Sequence, residues 1–585
     1  MERSITFGTT AVAAQPLRAL FATALLTTFV ATAVAQNGIG TTSPALVDAY
    51  ARPAATAPAI VESVAVEGRS EPSVANVSYT NPVLAGNYPD PSVIRVGKDY
   101  WATSTSSGWA PQFPILHSSD LVNWTVAGSV FQQRPAWSDG NYWAPEISHY
   151  RGRYLVYYVA RKLGGGRCVA VASARQPTGP YVDHGPLVCQ KLGSIDPMAV
   201  RDEHGWPYLV WKRGGNAHNL PTPILTQKLT RNGLKLIGER IVLIRNDTPW
   251  EAKVVEAPFI TRHGGWFYMF YSGDDCCSMQ CNYALGVARS PYLLGPWEKN
   301  PANPILKGDD QWICPGHGSV VSDEGGRDFL MYHAFRKNAA YVGRQALIDE
   351  VSWGANQWPM INVSSTPSEH AQSPHGIEAQ NAEFSFTDEF NSPGLTPGWQ
   401  WPQANRPSAG LSPVRNGWLS LAPSNARAHD VVGAVMARAT TAADYVVTTV
   451  ADTRGMKPGA MAGLAAFGDG YNALGVAAGD GKVIVWRREN GMHRIVAIVP
   501  APNAPLVHLR MSASGGYRFR FAVSGNGRDW QNVGGRKGVD LPPWNHSVRV
   551  ALTSGGVKGA VARFDGLRMV SAQPAGANTA MLAGN

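Results

Sequence analysis

Between residues 80 and 362 the chain repeats one pattern of apolar and polar positions five times. Each copy has a turn with Pro or Gly, a short apolar strand, a Gly-containing turn and an aromatic strand. Short runs of this kind predict strands rather than helices. Repeats of about 50 to 60 residues with about four strands each are typical of propeller blades, whereas an ordinary sandwich does not explain repetition in phase. We therefore predict a five-bladed β-propeller over residues 77–365, with copies that read "DPSVIRVGKDYWATSTS", "APEISHYRGRYLVYYVA", "DPMAVRDEHGWPYLVWK", "APFITRHGGWFYMFYSG" and "GHGSVVSDEGGRDFLMYHAF".

The pattern changes at about residue 380 to a clear alternation of apolar and polar positions. In "YRFRFAVS" the aromatic residues take one face, and Arg518 and Arg520 take the other. Further segments of this kind follow with Gly-rich turns between them, as in a β-sandwich. We predict a jelly-roll sandwich over residues 380–572, a tail over 573–585 and an all-β chain.

The first 35 residues have the composition of an export signal. Arg18 precedes the apolar run "ALFATALLTTFVATAVA", which ends in the small-x-small pattern Ala33-Val34-Ala35. A membrane anchor is the alternative, but the run is short and rich in Ala and Thr. Residues 36–76 are rich in Ala, Pro, Ser and Thr and predict a flexible linker. We expect a secreted or periplasmic protein, free of the membrane after cleavage.

Charge and composition indicate which classes of binding partner fit this chain. The net charge of +9 comes without long Lys or Arg runs, which argues against nucleic-acid binding. With 19 Trp and 20 Tyr, the chain is rich in the aromatic side chains that suit a polysaccharide partner.

Six cysteines fit an oxidising destination. Cys168 and Cys189 flank a stretch that reads as two strands joined by a Pro-Gly turn, so we predict a disulfide across this hairpin. A zinc site is the alternative for the other cysteines, but CC-x3-C lacks the usual paired CxxC spacing. We predict disulfides, of undefined connectivity, among Cys276, Cys277, Cys281 and Cys314.

Three acidic residues stand where inner strands open. A blade's first strand lies innermost, so its leading residues gather around the central axis. Asp90 is held between two prolines, Asp196 opens the third copy and Glu256 precedes the fourth. One such acid is more often a turn former, but three in equivalent positions predict carboxylates that converge in the channel. The five inner strands are predicted to begin at Asp90, Ala144, Asp196, Ala257 and His317.

Carboxyl groups that face each other across a pocket can cleave a glycosidic bond. One protonates the leaving oxygen, and the other activates water or attacks the carbon atom. The acid keeps its proton near neutral pH only if its pKa is raised, and a third carboxylate raises it by charge repulsion. The trio therefore indicates one base, one acid and one group that tunes the acid.

The motifs "YPDPSV", "HSSDLVNW", "WAPEI", "SIDPMAV", "VVEAPFI" and "GHGSVV" together resemble family 43 of the glycoside hydrolases, five-bladed propellers that act on arabinan and xylan. The resemblance implies that Asp90 is the general base, that Asp196 orients and tunes the acid, and that Glu256 is the general acid. It implies an inverting mechanism, with base and acid roughly 6.5–9.5 Å apart. Through "FTDEFNSPGLTPGWQWPQ" the second domain resembles the concanavalin-like domain that follows the propeller in some members.

The resemblance also assigns roles to two basic residues. Members of the family that act on arabinan place a histidine at the position of His317, beside an axial calcium ion or a water cluster. We expect no required cofactor. His317 is predicted to bind the substrate and to hold a structural Ca²⁺ on the propeller axis, with a satisfied core histidine as the alternative. Arg344 matches a family position, where it would steady Asp196 or bind a sugar hydroxyl, with a surface salt bridge as the alternative.

Two tryptophans and one glutamate complete the candidate site. Trp109 and Trp143 are placed to stack on a sugar ring, although most of the 19 tryptophans must lie in the core. Glu146 stands two positions beyond the equivalent of Asp90, so we interpret it as structural.

The sequence thus predicts an inverting hydrolase of α-L-arabinofuranosyl linkages in arabinan or arabinoxylan. A β-D-xylosidase is the alternative within the family, and the sandwich favours it. "GDDCCSMQCNYALGVARS" and "PGHGSV" are more similar to members that act on arabinan, and they decide the choice. A noncatalytic polysaccharide-binding protein is the third reading, but a pure binder has no need of a buried base.

Overall fold

The computed structural model describes the chain from residue 77 to residue 571, with short gaps. The predicted signal peptide, linker and tail lie outside the described residues. The described ranges are 77–277, 281–374, 385–408, 414–424, 430–534, 538–540 and 547–571.

Five four-stranded antiparallel sheets follow one another along the chain, each built from strands of one sequence repeat. Strand β1 (Ser78–Thr80) precedes them. The blades are, in order, β2 (Ser92–Val96), β3 (Asp99–Thr103), β5 (Gln112–Ser118) and β6 (Thr125–Phe131), with the short β4 (Trp109–Ala110) between β3 and β5; β7 (Ser138–Tyr150), β8 (Arg153–Lys162), β9 (Arg167–Ala174) and β10 (Val182–Cys189); β11 (Ser194–Arg201), β12 (Pro207–Arg213), β13 (Ile224–Leu229) and β14 (Leu236–Ile244); β15 (Val255–His263), β16 (Trp266–Gly273), β17 (Ala284–Ser290) and β18 (Glu298–Lys299); and β19 (Trp312–Ser322), β20 (Asp328–Arg336), β21 (Arg344–Trp353) and β22 (Pro359–Ile361).

The five sheets close into a propeller. The inner strands β2, β7, β11, β15 and β19 contact each other in a ring that returns from β19 to β2. Strand β23 (His370–Gln372) pairs with β1. Aromatic side chains of the second strands fill the spaces between blades, as Tyr268 and Tyr332 do between the fourth and fifth blades. The predicted five-bladed propeller is confirmed.

An equivalent residue at or near the opening of each inner strand has a left-handed backbone. Residues other than Gly rarely adopt a positive φ, so five equivalent cases mark a built feature of the fold. Each is followed by Pro or Gly, and the bend directs the opening of the strand toward the axis. The residues and their φ angles are Asp90 (53°), Ala144 (38°), Asp196 (54°), Ala257 (55°) and His317 (45°).

The second domain is a sandwich of two antiparallel sheets around one apolar core. The larger sheet contains β24 (Phe386–Asp388), β26 (Val414–Arg415), β27 (Trp418–Leu421), β29 (Tyr445–Asp452), β34 (Leu506–Ser514), β35 (Arg518–Ser524), β36 (Gln531–Val533), β37 (Val539–Asp540) and β39 (Ala562–Ser571). The smaller one contains β28 (Ala434–Ala439), β30 (Met461–Phe467), β31 (Ala473–Gly479), β32 (Lys482–Glu489), β33 (Met492–Pro500) and β38 (Arg549–Gly555). Short 3-10 helices lie at Asn216–His218, Pro249–Glu251, Ala340–Val342 and Gln403–Asn405.

Trp109 joins the two domains. Strand β4 pairs with β25 (Trp401–Pro402), which lies between β24 and β26 of the second domain in the sequence. The Trp109 side chain packs edge-to-face on Phe467, and the Arg549 guanidinium lies 4.0 Å from the centre of one of its rings. Only 7% of Trp109 is exposed, so its ring is covered by the sandwich and is not open to a sugar. The structure therefore gives Trp109 a different role from the predicted one.

The Cys168–Cys189 disulfide lies where the sequence predicts it, across β9 and β10, in which the two residues face each other. It closes the outer hairpin of the second blade. Within the described part of the chain, no helix has the length and apolar character needed to cross a membrane.

Candidate active site

The bent openings of the inner strands line one cavity on the propeller axis. Asp90, Glu146, Asp196 and His317 all contribute to its wall. Glu256 lies beside this wall. It directly precedes Ala257, whose backbone N–H donates to Asp196 Oδ2 over 3.0 Å. The structure therefore brings the three predicted carboxylates together.

Asp90 is a buried carboxylate held by a cation. Arg344 Nη1 donates to Asp90 Oδ1 over 2.8 Å, and Thr105 Oγ1 donates to Oδ2 over 2.6 Å. The rings of His317 and His333 each place Nδ1 3.4 Å from Oδ1. Burial alone would raise the pKa of Asp90, but Arg344, aided by the two histidines and Thr105, holds it well below its usual value. Asp90 is therefore ionised.

Asp196 has nearly the same backbone conformation as Asp90, but its protonated form is favoured. Burial raises the pKa of Asp196 to about 6 against the lowering effect of His317, and the Glu256 charge adds to the rise. Among the described residues, Asp196 accepts a hydrogen bond from the Ala257 backbone N–H. No guanidinium group pairs with it there.

Glu256 is bound at both oxygens. Lys212 Nζ lies 2.6 Å from Oε2, and the Tyr283 hydroxyl donates to Oε1 over 2.9 Å. Burial alone would raise the pKa of Glu256, but Lys212 and the Tyr283 hydrogen bond lower it below its ordinary value. This differs from the expectation that Asp196 raises the pKa of Glu256, because the expectation lacked the buried lysine.

A second ring of side chains surrounds the left-handed residues. In every blade, the residue two positions after the left-handed residue pairs with a residue of the second strand, and the ring member lies two positions beyond that partner. The pairs are Ser92 with Thr103, Glu146 with Tyr157, Met198 with Val210, Phe259 with Phe270, and Ser319 with Met331. The ring consists of Thr105, Val159, Lys212, Ser272 and His333.

Members of this ring reach the inner strand of the next blade. Thr105 accepts from the Ala144 N–H over 2.6 Å, and Ser272 Oγ accepts from the His317 N–H over 2.9 Å. His333 Nδ1 accepts from the Asp90 N–H over 3.1 Å. Sequence reasoning missed Thr105, Lys212 and His333, although aligning the aromatic strands of the repeats would have shown polar residues at this position.

Two other predicted residues have defined places. Arg344 pairs with Asp90 rather than with Asp196, and its side chain is largely buried, so it is not a surface salt bridge. Glu146 accepts from Ser92 Oγ over 2.6 Å, and burial raises the pKa of Glu146 to about 8. Trp143 is partly exposed, with the Arg167 guanidinium 5.2 Å from its ring centre, and its contact with a sugar stays a prediction.

The donor set does not fit a directly bound calcium ion. Calcium takes six to eight oxygen ligands, whereas His317 offers a ring nitrogen whose Nδ1 already lies near Asp90. In the described parts of the chain, no three His, Cys, Asp or Glu side chains converge in a way that would hold a metal ion. We assign no chemical step to a metal.

Two further disulfides lie near Glu256. Cys276 bonds to Cys277, and Cys281 bonds to Cys314. Cys314 packs in one apolar cluster with Tyr283, whose hydroxyl binds Glu256, and Cys276 and Cys281 pack against that cluster. The structure thus supplies the connectivity that the sequence left undefined, and it places both bridges near Tyr283, which binds Glu256.

Comparison with known proteins agrees with this architecture. Residues 79–359 match the family described as Glycosyl hydrolases family 43, and residues 387–560 match the Beta xylosidase C-terminal Concanavalin A-like domain. Xylosidase/arabinosidase 43B of Humicola insolens is 27% identical over 492 residues, which cover 79% of this chain and 87% of that protein. The extracellular exo-alpha-(1->5)-L-arabinofuranosidase ArbA of Cellvibrio japonicus is 28% identical over 310 residues, 47% of this chain and 86% of that protein. The crystal structure of the GH43 BlXynB protein from Bacillus licheniformis superposes with a TM-score of 0.73 at 25% identity, covering 85% of this chain and 100% of that one.

The chain belongs to glycosyl hydrolase family 43, with a concanavalin A-like second domain. It is a glycoside hydrolase, and the relatives named above are xylosidases, arabinosidases or both.

Proposed function

We propose that this protein is an exported, inverting hydrolase that removes α-L-arabinofuranosyl groups from arabinan or arabinoxylan in plant cell walls. The observation that carries the proposal is the convergence of three carboxylates: Asp90 and Asp196 line one axial cavity, Glu256 lies beside Asp196, and Asp90 is ionised by its pairing with Arg344. The similarity to ArbA over the propeller supports arabinose. Six cysteines joined in three disulfides are compatible with export.

The proposed chemistry needs one base and one acid. Asp90 takes a proton from a water molecule while the water oxygen bonds to the anomeric carbon from the face opposite the leaving group. The bond from that carbon to the leaving oxygen breaks, and Glu256 gives its proton to this oxygen. Inversion follows from the single displacement. Exchange with solvent then returns a proton to Glu256 and removes one from Asp90.

A β-D-xylosidase is the second candidate, and the sandwich favours it. Residues 387–560 match a domain named for beta xylosidases. The relative from Humicola insolens, which aligns over both domains, is named for both activities. Arabinofuranose and xylopyranose offer similar hydroxyl groups to the same three acids, so one site can serve either sugar.

The deciding experiment compares nitrophenyl α-L-arabinofuranoside, nitrophenyl β-D-xyloside and linear arabinan, with Asp90→Asn as the control. We expect the highest kcat/KM on the arabinofuranoside, and NMR of the first-formed sugar should show an inverted anomeric configuration. A preference for the xyloside would select the second candidate. Retention of configuration would contradict the single displacement and make Asp90 a nucleophile.

A further inference from the structure

Lys212 stands out among the residues around the three carboxylates. Only 1% of its side chain is exposed, and its ammonium group lies 2.6 Å from Glu256 Oε2. An ammonium group buried this deeply is costly unless it is paired. In the second ring it is equivalent to Thr105, so Lys212 binds the Glu256 carboxylate as Thr105 binds that of Asp90.

Among the described residues, the charged and titratable groups that act most strongly on Glu256 come from several blades. Lys212 comes from the second strand of the third blade, and Tyr283 comes from the segment before β17. Asp196 approaches from the inner strand of the third blade, where it binds the N–H of Ala257. His317 acts on both carboxyl groups from the fifth blade, and Asp90 acts on Asp196 from the first. Lys212 and His317 supply the basic groups of this set.

The two acids divide one proton unequally. With Lys212 on one oxygen and the Tyr283 hydroxyl on the other, the Glu256 carboxylate is satisfied in its charged form. Asp196 lacks such a cation, and Val159, the second-ring residue of the preceding blade, has no polar group to offer. The protonated form is therefore favoured on Asp196 and disfavoured on Glu256 in the unliganded site.

We propose that Lys212 is a positioning residue that holds Glu256 as a carboxylate in the resting enzyme and leaves the pair's proton on Asp196, so that Glu256 must take up this proton before it gives one to the leaving oxygen, and the reaction is confined to acidic pH. The proposal rests on the assignment of Glu256 as the general acid. A pair of coupled carboxyls loses its shared proton as a unit, so removing the ammonium group should let the pair keep that proton to higher pH. The alkaline limb of the pH profile of kcat/KM should then move to higher pH.

The test uses Lys212→Met, with Lys212→Arg as the conservative variant and Lys299→Met as the matched control. Lys299 is also a largely buried lysine paired with a carboxylate, Glu251, at 2.6 Å, but that pair lies outside the catalytic trio. Lys212→Met should move the alkaline limb of kcat/KM to higher pH by about one to three units. Lys212→Arg should restore most of the wild-type profile, and Lys299→Met should leave it in place.

A second measurement does not depend on activity. The infrared carboxyl band that disappears in Glu256→Gln reports the titration of Glu256 directly. In the wild type this band should be that of a carboxylate at pH 5, and in Lys212→Met it should be that of a protonated acid. A protonated Glu256 in the wild type at pH 5 would overturn the proposal, as would equal limb shifts in Lys212→Met and Lys299→Met. If no glycoside were cleaved but the titration moved as expected, the role of Lys212 would stand and the proposed function would fail.

Discussion

The two aspartates of the cavity, Asp90 and Asp196, are built on the same backbone and reach opposite charge states. Asp90 and Asp196 have φ angles of 53° and 54°, both precede Pro, and both are buried. Asp90 meets Arg344 and Thr105, and its pKa falls well below the usual value. Asp196 meets a backbone N–H and the charge of Glu256, and its pKa rises to about 6.

The difference shows that neighbouring strands, not the catalytic strand, set the chemistry. The cation that ionises Asp90 stands at the start of β21, and the cation that binds Glu256 stands on β12. A propeller can therefore repeat one backbone five times and still give each position its own proton affinity. The predictions below remove one element at a time from each side.

The largest effect should come from removing the two acting groups themselves. Asp90→Asn should reduce kcat/KM by roughly 10²- to 10⁴-fold for every substrate, because no leaving group replaces the base. Glu256→Gln should lose as much on natural glycosides but little on substrates with an acidic aryl leaving group. Rates on an activated and an unactivated arabinoside measure both, with the fully exposed Asp310→Asn as the control. If Glu256→Gln lost both substrates and Asp90→Asn kept the activated one, the roles of acid and base would be reversed.

The next largest effect concerns the cation on the base side. Arg344→Met leaves Asp90 buried without its 2.8 Å partner, so the pKa of Asp90 should rise. A base acts when deprotonated, and the acid limb of kcat/KM should therefore move to higher pH by about one to three units. Arg344→Lys should recover part of the shift. An acid limb that stays in place would mean that the histidines alone keep Asp90 ionised.

Asp196→Asn should act on the other limb and in the other direction. Asp196 holds a proton with a pKa of about 6, whereas the pKa of Glu256 is lowered below its ordinary value. Once the asparagine has removed the pair's better proton holder, the alkaline limb should fall by about one unit or more. The pH profile of kcat/KM checks this. If the acid limb moved instead, Asp196 would act on the base Asp90 and not on Glu256.

The smallest effect on the rate should come from the disulfides. Cys281→Ser with Cys314→Ser should lower kcat by a few-fold, because the bridge lies next to Tyr283 and so supports the acid side alone. The Cys168–Cys189 bridge contacts no described residue of the site, so Cys168→Ser with Cys189→Ser should leave kcat unchanged. Each pair should lower the free energy of unfolding by about 3 kcal/mol. Equal kcat losses in both pairs would show a general loss of stability in place of a local one.

Much of the site could be predicted because the repeats are visible in the sequence. Turn residues, apolar strands and aromatic strands recur in phase, and this pattern alone places Asp90, Asp196 and His317 at equivalent openings. The Cys168–Cys189 pairing followed from the hairpin between the two cysteines. Trp109 was misplaced because a tryptophan in a loop carries no mark of the domain that later covers it.

The sequence by itself predicted the five-bladed propeller, the sandwich and the three carboxylates that converge on the axis, since periodicity and turn chemistry are local properties of the chain. The tertiary structure alone decided which acid holds the proton. Arg344 lies 254 residues from Asp90, and Lys212 lies 44 residues from Glu256. Proton affinity in a buried site depends on charges a few ångströms away in space, and closure of the ring is what brings those charges within reach.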